Sequence, residues 1–243
     1  MTRVYGADKR QEIGDYVYIV SCSVGGTLRS ILPLSRAQPL ITLNYTLIHN
    51  TTMATTWPQW MTNSFLSAKK VFQIDHDESG YYGSYTRLLY HLFGGIEGPF
   101  EIVPHYRIPQ IHRDSVQIVA VFTVEYNGHP VLFIEVDPQY SLCHDSMRKQ
   151  ADDLIRDQIR DLIPSLITPR LPAISAFGTR LAFYEYTAAT NNLMPPAIIA
   201  DRTFQGDLAP LDRWAYDVLE AGGIARMRQV VRDVMTMCEA LNN

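Results

Sequence analysis

A chain of 243 residues can bury a substantial core, and a make-up of 47% apolar and 19% charged residues is ordinary for a globular protein. Its net charge of −4 argues against a generally basic nucleic-acid binder and leaves room for a local basic patch. Cys22, Cys143 and Cys238 are widely spaced with no Cys-x-x-Cys pair, which argues against a disulfide framework or a zinc site. They read as reduced thiols of an intracellular protein, cytoplasmic or nuclear. The first residues lack an apolar signal-peptide core, and no apolar run reaches membrane-spanning length, so no membrane association is expected.

In chain order, Tyr16–Val24 and Leu40–Ile48 are rich in β-formers and read as strands, with Gly25-Gly26 as a turn, giving a β-rich extension over residues 1–56. Trp57-Pro58-Gln59-Trp60 opens a helix to about Phe72, with Pro58 at a tolerated early position, and Asp75–Gly80 is a polar break. Tyr82–Phe93 carries Tyr85, Leu88, Leu89, Leu92 and Phe93 at helical spacing, and Gly94-Gly95 stops it. Phe100–Ile108 and Val116–Tyr126 read as strands. Asn127-Gly128 is a two-residue hairpin signal into a third strand at Val131–Val136. Met147–Ile163 is an amphipathic helix with Ala151, Leu154, Ile155, Ile159, Leu162 and Ile163 on one face. Strands follow at Pro172–Ala176 and Arg180–Thr187. Beyond Asn191 come a Pro-rich loop and two helices, from about Leu211 and from Ile224 to Leu241; the second has an apolar stripe that reads as core packing.

The third strand carries the most chemistry. Pro130–Pro138 reads Pro-Val-Leu-Phe-Ile-Glu-Val-Asp-Pro, an apolar run ending in two carboxylates two residues apart. The run predicts a strand buried on both faces, ended by Pro138. Glu135 and Asp137 then share one side, roughly 6–7 Å apart along the strand. Acid at the mouth of a buried strand is costly unless it meets water, a cation or a donor. The alternatives are a strand end in water, with Asp137 simply solvated, or the remnant of a metal site; the first is the expectation.

The order from Tyr82 onward, helix, three strands, helix, strand, with acid closing the third strand, resembles the PD-(D/E)XK (restriction-endonuclease-like) core, an α/β fold of αβββαβ order. The chain also resembles a large, mostly uncharacterised fungal protein family with such a core, over roughly Trp57–Leu241. The likeness is carried by Tyr82-Gly83-Ser84-Tyr85-Thr86-Arg87-Leu88-Leu89, by Pro130–Val136, by Ile174–Tyr184, and by Ala209-Pro210-Leu211-Asp212-Arg213-Trp214-Ala215-Tyr216-Asp217-Val218-Leu219. It implies a nuclease-like core over residues 57–190, with the β-rich extension before it and a loop and helical pair at 191–243 packed on it.

The resemblance also implies a site. An acid on the second strand would hold Mg²⁺, and Gln117 stands there. The Glu of the Glu-x-Lys pair is present as Glu135, while its Lys is replaced by Asp137. A Gln of the following helix falls at Leu154. One position of four matches. Placing Asp137 where an ammonium belongs changes the local charge by two units and repels a scissile phosphate, which undoes the largest catalytic term. The family reading is therefore a catalytically degenerate nuclease-like protein, with no cofactor, that binds nucleic acid or a protein. The alternative is a metal-dependent nuclease using Mg²⁺ or Mn²⁺ at a rearranged Glu135/Asp137 site, with Asp114 adding charge and Lys149 or Arg148 replacing the lost cation. A structural role, dimerising through the N-terminal strands as a pairing edge, is a weaker third.

Other signals carry less. His144-Asp145 reads as the capping lead-in to the helix at Met147. Arg148, Lys149, Arg156 and Arg160 interleave with Asp152, Asp153, Asp157 and Asp161, the pattern of a solvated, salt-bridged face. Tyr81, Tyr82, Tyr85 and Tyr90 read as core packing with hydroxyls at the rim, ahead of base stacking.

Overall fold

The computed structural model describes residues 56–75, 79–107, 119–198 and 209–242, all within one compact unit, Thr51–Asn243. The expected strands at Tyr16–Val24 and Leu40–Ile48, and the site positions Asp114 and Gln117, lie outside the described residues.

Helix α1 (Gln59–Asp75) begins where the Pro58 carbonyl accepts the amides of Met61 and Thr62 at 2.9 and 3.2 Å. Helix α2 (Ser79–Leu92) returns beside it. The polar break is shorter than expected, because Asp75, Ser79 and Gly80 are helical. Small residues bring the two helices close: a Cβ on Gly80 would sit 3.2 Å from the Ala68 Cα, and the Ser64 and Ser84 hydroxyls share a hydrogen bond of 2.9 Å. Gly94 and Gly95 take φ of +88° and +82° just past the end of α2, a conformation that suits glycine.

Strands β1 (Phe100–Arg107), β2 (Val119–Tyr126) and β3 (His129–Asp137) form an antiparallel meander. Asn127 and Gly128, with φ of +53° and +73°, make the tight turn that the Asn-Gly pair predicts. Pro130 lies inside β3, where the register slips at Val124/Glu125 and before pairing with the next strand begins at Phe133. Helix α3 (Asp145–Leu162) is the crossover that lets β4 (Arg170–Phe177) run parallel to β3. Strand β5 (Arg180–Thr187) turns back antiparallel through Gly178 and Thr179.

The outcome is a mixed seven-stranded sheet in the order β1-β2-β3-β4-β5-β6. Two short strands that the sequence reading missed, β6 (Asn192–Met194) and β7 (Tyr216–Asp217), pair with opposite ends of β5. A helix from Leu211 was expected; the chain instead makes a single 3₁₀ turn, Leu211–Trp214. Trp214 is fully buried, donates its indole N–H to the Ser175 hydroxyl at 3.1 Å and packs on Phe177, while its carbonyl accepts from Arg180 Nε at 3.0 Å. Tyr216 then enters the sheet, so helix cannot continue. The C-terminal helical pair thus reduces, among the described residues, to this turn and one helix, α4 (Ala221–Ala240). Its stripe of Ile224, Met227, Val230, Val231, Val234, Met237 and Cys238 is buried as expected, whereas Leu241 falls past the end and is exposed.

Helices cover both faces of the sheet. Ile134 and Val136 of β3 pack into one apolar cluster with α1, α2 and α4; Phe133 packs into the other, with α3, Trp214 and Ile198. Side chains alternate along a strand, so Glu135 and Asp137 continue the Phe133 row toward α3.

The β4–β5 turn offers the sharpest test of this packing. Gly178 has φ of +59°, and a Cβ there would come within 2.8 Å of the Gln139 side chain. Gly178→Ala is expected to lower stability by about 1–2 kcal/mol from the backbone conformation alone, more with the clash. A urea midpoint equal to that of the parent would show the turn is not so constrained.

Candidate functional site

All of β3 from Pro130 to Asp137 is buried, because sheet neighbours flank it and helices lie above and below. Glu135 is 2% and Asp137 4% exposed. The expectation of an Asp137 solvated at a strand end is therefore corrected. Pro138 stops the strand, but the 3₁₀ turn Gln139–Cys143 folds back against α3 and β4 and closes the end from solvent.

Glu135 is registered beside Val121 on β2 and Ser175 on β4, and Asp137 beside Phe177. The Ser175 hydroxyl accepts from the Trp214 indole N–H and keeps its own proton to donate. The Gly178 amide donates to the Asp137 backbone carbonyl at 3.2 Å, not to the side chain. Among the described residues Asp137 Oδ2 has no hydrogen-bond partner. Burial pushes the Asp137 carboxyl up to about 7, opposed by a hydrogen bond with the Glu135 side chain. Ionised carboxylates only accept, so a bond between two carboxyls requires one proton on the pair.

The cations proposed for this site lie elsewhere. Lys149 bonds Asp153 one turn along α3 at 2.5 Å. Arg148 is buried and donates to the backbone carbonyls of Leu142 and Ala209, each at 2.6 Å. Leu154, at the family's Gln position, is half-buried on α3. His144 does stand at the helix N-cap, but its side chain makes no capping bond; Asp145 alone favours the helix start, through the dipole.

An acidic centre that the sequence reading placed on a solvated face lies one turn along α3. Asp152 is fully buried. It accepts from Arg156 Nε and Nη2 at 2.9 and 3.0 Å, Arg213 Nη1 at 2.6 Å, the Tyr184 hydroxyl at 3.0 Å and the Ile198 amide at 3.0 Å. Both arginines also donate to the loop after β6: Arg156 to the Pro195 carbonyl and Arg213 to that of Pro196. Burial alone would raise the Asp152 pKa, but the bonds from Arg156 and the Ile198 amide, with the charges of Arg156 and Arg213, hold it below the usual value. The i,i+4 spacing of Asp152 and Arg156 is visible in the sequence; Arg213, 61 residues on, is not.

Mg²⁺ in a nuclease of this plan is held by carboxylates, waters and phosphate oxygens. Among the described residues no three His, Cys, Asp or Glu side chains gather as a metal group. Glu135 and Asp137 are deeply buried, and the described residues around them bring no third ligand and no wet face for a metal's waters, so among the described residues the pair by itself does not fit Mg²⁺ or Mn²⁺. No helix among the described residues is long and apolar enough to cross a membrane. Comparison with protein-family models, curated proteins and solved structures finds no match.

The two buried acids predict different responses. The Asp137 carboxyl titrates near 7 when folded, against an ordinary value of 3.8, so between those values the folded chain holds a proton that the unfolded chain has lost. Stability therefore falls as pH rises through that window and levels off above it. Asp137→Asn, which never ionises, is expected to flatten that slope and to gain most over the parent at about pH 8. Urea midpoints at several pH values measure it; parallel profiles would remove the buried titration. Asp152→Ala leaves two arginines aimed at an apolar gap and is expected to cost about 3–5 kcal/mol, read from the same unfolding curves.

Proposed function

We propose that this chain is a PD-(D/E)XK-like scaffold that does not cleave and acts by recognising a nucleic acid or a protein partner. The reading is supported by the element order, αβββαβ from α2 onward with β3 and β4 parallel, and by the family phrases that fall on α2, β3, β4–β5 and the Trp214 turn. The observation that carries it is the condition of the third strand's end. Phosphodiester hydrolysis of this type needs a cation on the carboxylates and an ammonium near the phosphate. Here both carboxyls are buried, with burial raising the Asp137 pKa, and the nearest lysine on α3 is tied to Asp153. Arg148 donates to two backbone carbonyls. Binding survives such losses, because it needs no metal and no proton relay.

The test is calorimetric titration of Mg²⁺ and Mn²⁺ into the full chain and Glu135→Ala, with labelled DNA and RNA incubated alongside. Neither metal binding nor cleavage is expected in either protein. Metal binding and cleavage that both disappear in Glu135→Ala would overturn the proposal and establish a nuclease with a rearranged site.

A further inference from the structure

The two faces of the sheet carry opposite charge. On one, α3 holds five aspartates against four Lys or Arg residues. On the other, α1 and α2 together hold Lys69, Lys70 and Arg87 against the single acid Asp75, and α4 adds Arg226, Arg228 and Arg232 against Asp233 and Glu239. In a chain of net charge −4 this helical face is the cationic one.

A surface cluster of unusual composition lies on it. Trp60, near the start of α1, is 44% exposed and belongs to neither apolar cluster. The Arg87 guanidinium lies 5.1 Å from its ring centroid, and the His91 ring meets it edge-on at 5.6 Å. Arg87 and His91 are one turn apart on the exposed ridge of α2. Burial, together with the Arg228 charge, holds the His91 pKa below its usual value, so at neutral pH the ring is an uncharged flat surface. Beneath, Trp57 is buried and donates its indole N–H to the Val218 carbonyl at 2.6 Å, with the Arg228 guanidinium 4.8 Å from its ring centroid.

Packing gives no reason for a large indole to be left in water beside a guanidinium, on helices whose described residues carry more basic than acidic side chains. An exposed indole with a guanidinium over its ring and an imidazole at its edge suits a base beside a phosphate: every base offers a π-face, and an Arg lying on an indole keeps its N–H groups for a phosphate. We infer that the ridge of Trp60, Arg87 and His91 binds single-stranded nucleic acid without strong sequence preference. The inference rests on the non-cleaving reading for its biological sense, since it names the partner class left open there. The ridge is on the face of the sheet away from Glu135 and Asp137, so a strand held on it does not meet the carboxyl pair.

Fluorescence anisotropy of labelled oligothymidylate and oligouridylate with the full chain tests it, with duplex DNA as competitor. The chain is expected to bind both single strands, more weakly as salt rises, and to prefer them to duplex. Trp60→Ala and Arg87→Gln should each weaken binding roughly five- to a hundredfold at unchanged thermal midpoints. Arg160→Gln, on the other face, should leave it unchanged. Absence of binding at low ionic strength, equal binding by Trp60→Ala, or loss of binding in Glu135→Ala would overturn the inference. Cleavage is read separately on the same oligonucleotides. Cutting that needs Glu135, with binding that still needs Trp60, would refute the non-cleaving reading and leave the ridge standing.

Discussion

Everything near the candidate site follows from one constraint: β3 is enclosed on all sides before its acids are reached. Pairing with β2 and β4 uses both its edges, and the two apolar clusters use both its faces. A carboxylate on such a strand has three options, which are to reach water, to find cations or to keep a proton. The 3₁₀ turn after Pro138 removes the first, and Lys149 is tied to Asp153. For Asp137, burial favours the third. A metal-bearing strand of this plan needs the opposite, an open end with charge to spare.

The comparison with Asp152 shows that burial alone does not decide an acid's state. Asp152 is as deeply buried as Asp137, yet its pKa moves the other way, because two guanidiniums, a phenol and an amide converge on it. One acid is dissolved in donors and the other among apolar side chains. Asp152 also joins α3 to the segments around Pro195, Ile198 and Arg213, which would otherwise touch the sheet only through short elements. Its place in the molecule is that of a clasp, and the cost of taking its charge out of water is offset by how completely it is satisfied.

The core was legible where local chemistry alone sets the structure. The Asn-Gly turn, the glycine stop after α2, the doubly buried run of β3 and the stripe of α4 each depend on neighbours within a few residues, and each is found. The failures share a different cause. The turn at Leu211–Trp214 looks helical by propensity, but it is fixed by Ser175, Phe177 and Arg180, more than thirty residues away in the chain. Strands β6 and β7 exist only because β5 offers an edge to pair with. The solvated, salt-bridged face expected of α3 is found for Lys149–Asp153 and Arg160–Asp157, but not at Asp152, because spacing along one helix cannot show that Tyr184, Ile198 and Arg213 will converge on it. Half of the site was legible in this sense: Glu135 and Asp137 do share a side, but whether that side is wet depends on the turn that closes over it.

The division of labour between the two faces is what gives the fold its functional sense. A nuclease brings binding and chemistry to one place, so that positive charge and metal ligands act on the same phosphate. In this chain the cations of α1, α2 and α4 and the acids of β3 are on opposite sides of a closed sheet, and the helix nearest the acids is itself rich in aspartate. With the sheet between them, a polyanion held on the cationic face, as proposed, does not meet the carboxyl pair, so binding there and the state of the acids are separable by experiment.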